Sequence, residues 1–406
     1  MRIVHADAII PGNADPIADG AVVVDGALVV DVGKAADVLP RHAGAPVDRV
    51  RGVVLPGLIN AHTHVELSAL RGRAPGGAGF VPWVDRMLDA RGEVPPEHDA
   101  GAIQQAVEAL HASGTAAVGE VTNSLVAVRA LARRGIGGTV FHEVFGVHKE
   151  PLEARVAAMP RAVEETVGSW PGPDLAYAPA PHTLYTTQRA VVERLVREAR
   201  DRGVRTTVHL CEHPAERSFL ERGAGPLVVF FERRLKLPEG GVPWPGKSPV
   251  AYADDLGALG PHVLAVHLAD ARSEELDLVA RRGAPVVFCP RSNLYIETRL
   301  PPLIAALAAG IVPALGTDSL ASNASLDVLA EARALADRFP GVAAKDLVRM
   351  ATWQGAQALE RPDLGRIARG AKPGLVAIEG DPGPDACAFV LRNVKAPRRW
   401  VVERRP

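Results

Sequence analysis

The chain has 406 residues, 47% of them hydrophobic and 23% charged, with a formal net charge of -1. Such a composition suits a globular protein with room for a large barrel and an accessory domain, and it excludes the basic surface that nucleic acid or an anionic membrane would need. Three cysteines without C-x-x-C spacing, no signal-peptide pattern and no apolar run long enough for a bilayer predict a cytoplasmic protein.

Residues 1–54 read as short strands with tight turns, and Asp25-Gly26 between two β-branched runs marks a hairpin. Residues 367–406 have the same character in Leu375–Gly380, Phe389–Leu391 and Trp400–Val402. The two termini are therefore expected to form one small composite β-sandwich. Arg398, Arg399, Arg404 and Arg405 read as a solvated tail.

Between them, residues 55–366 alternate strand-like runs with helical patterns. The runs end at His64, Val121, Val144, His182, Leu210, His267, Cys289 and Asp318. Good helix formers with apolar residues three to four apart lie between, as in 188–202 and 325–338. Gly114, Gly135, Gly203, Gly283 and Gly310 punctuate helix ends. Strand, helix and glycine repeated eight times predict a (β/α)8 barrel. A doubly wound open sheet is the alternative, but no G-x-G-x-x-G follows any strand to support it. Two long connections, 65–100 and 214–261, carry Phe80, Trp83, Phe230, Phe231 and Trp244. They are expected to cover the site or to pack against a neighbouring subunit.

Barrel enzymes build their sites at the C-terminal ends of the strands. There, His62 and His64 stand two residues apart. On a strand they share a face and can share a cation. His209 and Asp318 end later runs, and three imidazoles with one carboxylate suit zinc, with iron or manganese as alternatives. Water on such an ion falls in pKa from ~15.7 towards ~7. Glu212, just past the fifth strand, would take its proton as general base and return it as general acid. His267 would be a further ligand or a hydrogen-bonding partner of that water. Asp318 follows an apolar run, where an unpaired carboxylate is costly and a cation is the natural remedy. His209-Leu-Cys-Glu-His213 also matches H-x-x-E-H, which on a helix would make a zinc peptidase of His209, Glu212 and His213. The β-branched run after Gly203 favours a strand instead.

Pro56-Gly-Leu-Ile-Asn-Ala-His-Thr-His64, His209-x-x-Glu212, His267, Cys289-Pro-Arg-Ser-Asn293 and Gly316–Asp327 closely resemble the amidohydrolase superfamily. The similarity extends to Gly370–Ile378 and covers nearly the whole chain. The branch is that of the cytosine, guanine and S-adenosylhomocysteine deaminases and the triazine hydrolases. The resemblance implies a metal on His62, His64, His209 and Asp318, proton transfer by Glu212, His267 and Asp318 positioning hydroxide, and a substrate-facing His182. Binuclear relatives carry a carboxylated lysine at the end of strand four. Here that strand ends in Pro181-His182, so one ion is expected.

His62–Ser68, Gly79–Trp83 and Phe141–Gly146 are similar to the aminodeoxyfutalosine deaminases of menaquinone synthesis, which act on an adenine ring bearing a modified ribose. That likeness implies substrate contacts from Glu66 and from Trp83, the latter by stacking. A solvated carboxylate and a lid-packing aromatic are the alternatives. Glu120 and Glu143 face the same mouth, to read a substrate amine or to pair with Arg71, Arg73 or Arg86. Cys211 and Cys289 are expected to be small buried residues. The expected reaction is hydrolytic deamination of a purine-type ring, best fitted by an adenine nucleoside such as aminodeoxyfutalosine. Cleavage of another C–N or C–Cl bond, in a triazine, cytosine or guanine type substrate, is the nearest rival, and a non-enzymatic binding scaffold the most distant. The expected partners are a small molecule and further copies of the chain, as a dimer or tetramer.

Overall fold

The computed structural model describes residues 1–238 and 241–404. Four strands come first: β1 (Arg2–Ile9), β2 (Ile17–Asp25), β3 (Leu28–Lys34) and β4 (Val47–Pro56). Nine more follow: β5 (Leu58–His64), β6 (Thr115–Thr122), β7 (Gly137–Val144), β8 (Leu175–Pro181), β9 (Thr206–Leu210), β10 (Val263–His267), β11 (Val286–Phe288), β12 (Ala314–Leu315) and β13 (Asp318–Ser319). The last two are β14 (Leu375–Glu379) and β15 (Arg398–Val402).

Both ends of the chain share a six-stranded sheet of order β15-β14-β4-β1-β2-β3. Its hairpin pairs Asp25 with Leu28, so the two-residue turn is Gly26-Ala27, one step beyond the expected Asp25-Gly26. Gly26 takes φ +59°, which suits the mirror-image turns of tight hairpins. Two details differ from expectation. Ala35–Arg41 is a helix, and so is Ala386–Arg392, which contains Phe389–Leu391. Three apolar residues in a row fit a strand or one buried helical turn equally well. Here Asp385 decides for the helix, its carboxylate accepting from Ala388 N–H at 2.9 Å. Nor are the C-terminal arginines all solvated. Arg398 is buried against Asp327 at 2.7 Å, and Arg404 is buried against Asp174. Arg405 lies outside the described residues.

The barrel strands run parallel in two arcs, β13-β5-β6-β7-β8 and β12-β11-β10-β9. The eighth barrel strand is split: β12 pairs with β11, and β13 pairs with β5. A bridge between Thr183 and His209 joins β8 to β9 and completes the ring. Every residue of β5, β6, β7, β9 and β10 is buried, as expected of parallel strands covered on both faces. The barrel interior is filled by Ile59, Ala117, Phe141, Ala178, Leu264 and Val287, among others. The expected helices are present as Arg189–Asp201, capped by Gln188, and Val328–Arg338, capped by Asp327. The fold is thus the (β/α)8 barrel with the terminal sheet beside it. Among the described residues, no helix is long and apolar enough to cross a membrane.

Candidate active site

The side chains expected at one centre converge at the C-terminal ends of the strands. Ligand atoms of His62, His64 and His209 all lie within 4.8 Å of one another. His62 and His64 alternate along β5, and His209 faces them from the end of β9. Gly316 allows the chain between β12 and β13 to pass beside β5, since a Cβ there would stand 2.6 Å from the His62 Cβ. Asp318 on β13 accepts from Ser292 Oγ and Ser322 Oγ through Oδ2, each at 2.6 Å. Its other oxygen is turned towards the imidazoles, 3.8 Å from His62 Nε2 and 3.6 Å from His64 Nε2. His267 ends β10, its Nδ1 3.3 Å from Asn293 Nδ2 and its Nε2 3.7 Å from Glu212 Oε1.

Burial sets the protonation states. It drives the pKa values of His62 and His209 well below the ordinary range, helped by the neighbouring imidazoles, and it lowers that of His64 as well. Burial also takes His267 down to about 4 and His182 to about 3. The rings near Asp318 are therefore neutral, each with a lone pair to offer. The Glu212 carboxyl is pushed well up by burial, then by Asp318 and Glu216. Cys211, Cys289 and Cys387 are all unpaired and buried. The Cys289 thiol lies near His62 and His267, but burial and Asp318 hold it protonated, which makes it a poor ligand.

A cation fits this arrangement. His64 Nε2 and His209 Nε2 face each other at 3.2 Å, and two neutral imidazoles so placed cannot both donate. His62 Nε2, His267 Nε2 and Glu143 Oε1 are buried without any hydrogen-bond partner. Unpartnered buried polar atoms cost free energy, and their clustering here marks a place built for something more. Four non-glycine residues at the strand ends take left-handed backbone: Cys211 (φ +53°), His267 (+76°), Leu268 (+48°) and Asp318 (+56°). Such strain collects where geometry serves function.

The remaining predicted residues divide. Glu143 lies beside His209, its Oε1 3.4 Å from Nδ1, and its carboxyl is lifted to about 8 chiefly by burial. His182 stands edge-on to His209 with ring centroids 5.0 Å apart, its Nδ1 2.7 Å from Thr186 Oγ1. Glu66 anchors a loop at the end of β6. Its carboxylate accepts from Thr122 Oγ1 at 2.6 Å, from the N–H groups of Asn123 and Ser124, and from Ser124 Oγ. Trp83 stands on the helix Phe80–Gly92 of the first long connection. Its indole is buried among Leu70, Phe80 and Ile296 and donates to Ala321 O at 3.3 Å. Glu120 is fully buried, accepts from Val65 N–H and pairs with none of the three arginines considered. His213 caps the helix Pro214–Arg222, Nδ1 accepting from Glu216 N–H and Nε2 lying 3.0 Å from Tyr185 Oη. With both nitrogens engaged off the barrel mouth, His213 does not form the peptidase pair with His209.

The two long connections meet over an open cleft of about 1000 Å³ lined by Phe80, Pro82, Pro214, Val229 and Phe230. Phe80 stacks on His213 with centroids 3.8 Å apart, which brings the first connection down beside Glu212. Asn123 escaped sequence reading. Its Nδ2 donates to Glu143 O at 2.9 Å and to Glu143 Oε2 at 3.3 Å. The only signal was a Thr-Asn-Ser loop at a strand end.

Behind Asp318, the loop from Thr317 is held by Glu331, which accepts from Arg291 N–H and Asn323 Nδ2, each at 2.8 Å. Asn323 in turn donates to Thr317 O at 2.9 Å. Burial raises the Glu331 carboxyl from 4.5 to about 8. The folded state therefore holds this proton more tightly than the unfolded chain. The stability it contributes is fully present below pH 4.5 and is lost as pH rises through about 8. Glu331→Gln, neutral throughout, should flatten that decline in denaturant unfolding across this range. Parallel curves for variant and wild type would refute the assignment.

Comparison with known proteins places this geometry. An aminodeoxyfutalosine deaminase from Deinococcus radiodurans is 30% identical over 366 residues, covering 88% of this chain and 85% of that one. The crystal structure of Helicobacter pylori aminofutalosine deaminase in complex with methylthio-coformycin superposes with a TM-score of 0.87 at 26% identity, covering 98% of this chain and 97% of that one. An adenosine deaminase from Xanthomonas campestris, solved with bound zinc, gives a TM-score of 0.77 at 26% identity over 94% and 85% of the two chains. The amidohydrolase family model matches residues 53–399, and the chain belongs to the amidohydrolase family.

Proposed function

We propose that the chain is a hydrolytic deaminase of a purine-type ring, acting on an adenine nucleoside such as aminodeoxyfutalosine with one divalent ion, zinc by preference. One observation carries this reading: three neutral imidazoles and one free Asp318 oxygen converge within reach of a buried carboxyl, Glu212. The relatives' deamination of adenine nucleosides supports the substrate class. His62, His64, His209 and Asp318 would hold the ion, which supplies Lewis acidity that makes water nucleophilic at neutral pH. No residue at the end of strand four is a lysine, which supports one ion over two.

The chain's own groups move the protons. Glu212 takes one from the attacking water and delivers it to the ring nitrogen next to the carbon under attack. His267, with a free Nε2 beside Glu212, holds the incoming oxygen in line. The second water proton leaves with the amine as ammonia, and the ring keeps the oxygen. His182 and Glu143 lie beside His209 and are assigned to the substrate, Glu143 through its unpartnered Oε1. In this reading the barrel, 55–366, does the chemistry, while 1–54 and 367–406 form the composite β-sandwich that braces it. Exposed Val229, Leu235 and Trp244 on the second long connection support a homo-oligomer. Three unpaired thiols suit a reducing, cytoplasmic setting.

The test is a panel of adenosine, S-adenosylhomocysteine, aminodeoxyfutalosine, guanine, cytosine and a chlorotriazine, assayed for ammonia and chloride with zinc-loaded protein. Ammonia from the adenine nucleosides is expected. Chloride from the triazine with no ammonia from any nucleoside would transfer the site to the rival reaction.

A further inference from the structure

Glu212 is a proton carrier only while its carboxyl faces the ring of atoms at the barrel mouth, and it sits two residues past the end of β9, where a loop would ordinarily be free to move. What fixes it is another carboxylate. Glu216 is almost fully buried, and its two oxygens are divided between two consecutive backbone groups: Oε1 accepts from Cys211 N–H and Oε2 from Glu212 N–H, both at 2.9 Å. Both amides can reach one carboxylate because Cys211 turns left-handed at φ +53°.

The ordinary account of such a glutamate is a capping box, in which the third helical residue reaches back to the N-cap amide. Here the N-cap of the helix Pro214–Arg222 is His213, and Glu216 passes it by to hold the two residues before it. The helix start itself is served by His213 Nδ1, which accepts from Glu216 N–H at 3.0 Å. From the other side, Cys211 O accepts from Asp270 N–H at 2.9 Å. Arg217, next to Glu216, ties that strand end down by donating to Asp270 O at 2.7 Å and to Glu275.

We propose that Glu216 is a positioning residue for Glu212: its paired acceptance from the Cys211 and Glu212 amides sets where the proton-carrying carboxyl stands. The inference rests on the deaminase reading for its kinetic arm and on geometry alone for its structural arm. A glutamine at 216 offers one acceptor oxygen and sets an amide NH₂ against the second backbone N–H. An aspartate keeps the charge and loses the reach. A displacement of about 1 Å in a reacting group costs roughly 10²-fold in rate.

Glu216→Gln and Glu216→Asp are therefore expected to fall about 10²-fold in kcat, with KM and metal content unchanged. In the Glu212→Gln background, adding Glu216→Gln should cost nothing further, because a residue that acts through another has no effect once that one is gone. A merely structural role would lower Tm and multiply with Glu212→Gln. Crystals of Glu216→Gln should show the Glu212 carboxyl displaced from His267, against 3.7 Å in the wild type. Unchanged kcat, a multiplicative double variant, or Glu212 still in place would each overturn the proposal. Wild-type protein that releases no ammonia would count against the deaminase reading alone, and the crystallographic comparison would still decide the role of Glu216.

Discussion

Glu212→Gln is expected to bind an adenine nucleoside with unaltered affinity and to turn it over roughly 10²–10⁴-fold more slowly, the range that a positioned acid–base group supplies. The substitution is nearly isosteric and keeps a hydrogen-bonding head, so packing around the site should survive. What disappears is the proton. Burial, Asp318 and Glu216 all push the Glu212 carboxyl up, while a nearby cation would push it down. Opposed in this way, the group is brought towards the neutral range where an efficient base and acid must titrate. An interaction made only in the transition state appears as a loss in kcat with binding intact. Single-turnover ammonia release and calorimetric titration of substrate into metal-loaded variant measure the two separately. A variant with near-wild-type kcat would remove Glu212 from the mechanism.

How much of this was legible before the structure depended on how local the cause was. His62 and His64 declared themselves because alternation along a strand is a property of adjacent residues, and the strand ends of the barrel followed from repeated runs and terminal glycines. Register and closure were less accessible. The splitting of the eighth strand around Gly316 depends on how closely its backbone passes His62, a contact across 254 positions of sequence. The substrate contacts expected of Glu66 and Trp83 rest on motifs similar to those of relatives. A motif records which residue is present and not which partner takes its lone pairs. The Thr122–Ser124 loop that claims Glu66 has no periodicity to find. Glu216 left a faint trace, a proline at the first helical position with a glutamate two residues later, but that pattern announces a helix start and says nothing of the two amides upstream.

His209→Ala should be the most damaging single change to metal binding, because His209 is held from two directions that no other side chain can replace. Its Nε2 faces His64 Nε2 at 3.2 Å, while its Nδ1 lies 3.0 Å from His182 O and 3.4 Å from Glu143 Oε1. The carbonyl fixes Nδ1 as the protonated nitrogen and leaves the Nε2 lone pair for a cation, the outer support common to metal-binding histidines. Losing only such an outer partner costs roughly 10–100-fold in metal affinity, so losing the ring itself should cost more and leave purified protein without stoichiometric zinc and without turnover. The stability that the ion lends should go too, since a ligand present at 100 times its Kd contributes about 2.7 kcal/mol. Elemental analysis, ammonia release and thermal unfolding with and without added zinc read the three losses. His213→Ala is the decisive comparison. Its ring is engaged by Glu216 N–H and Tyr185, so it should keep its zinc. If instead His213→Ala lost zinc as completely as His209→Ala, the ion would belong to the peptidase arrangement and not to the barrel mouth.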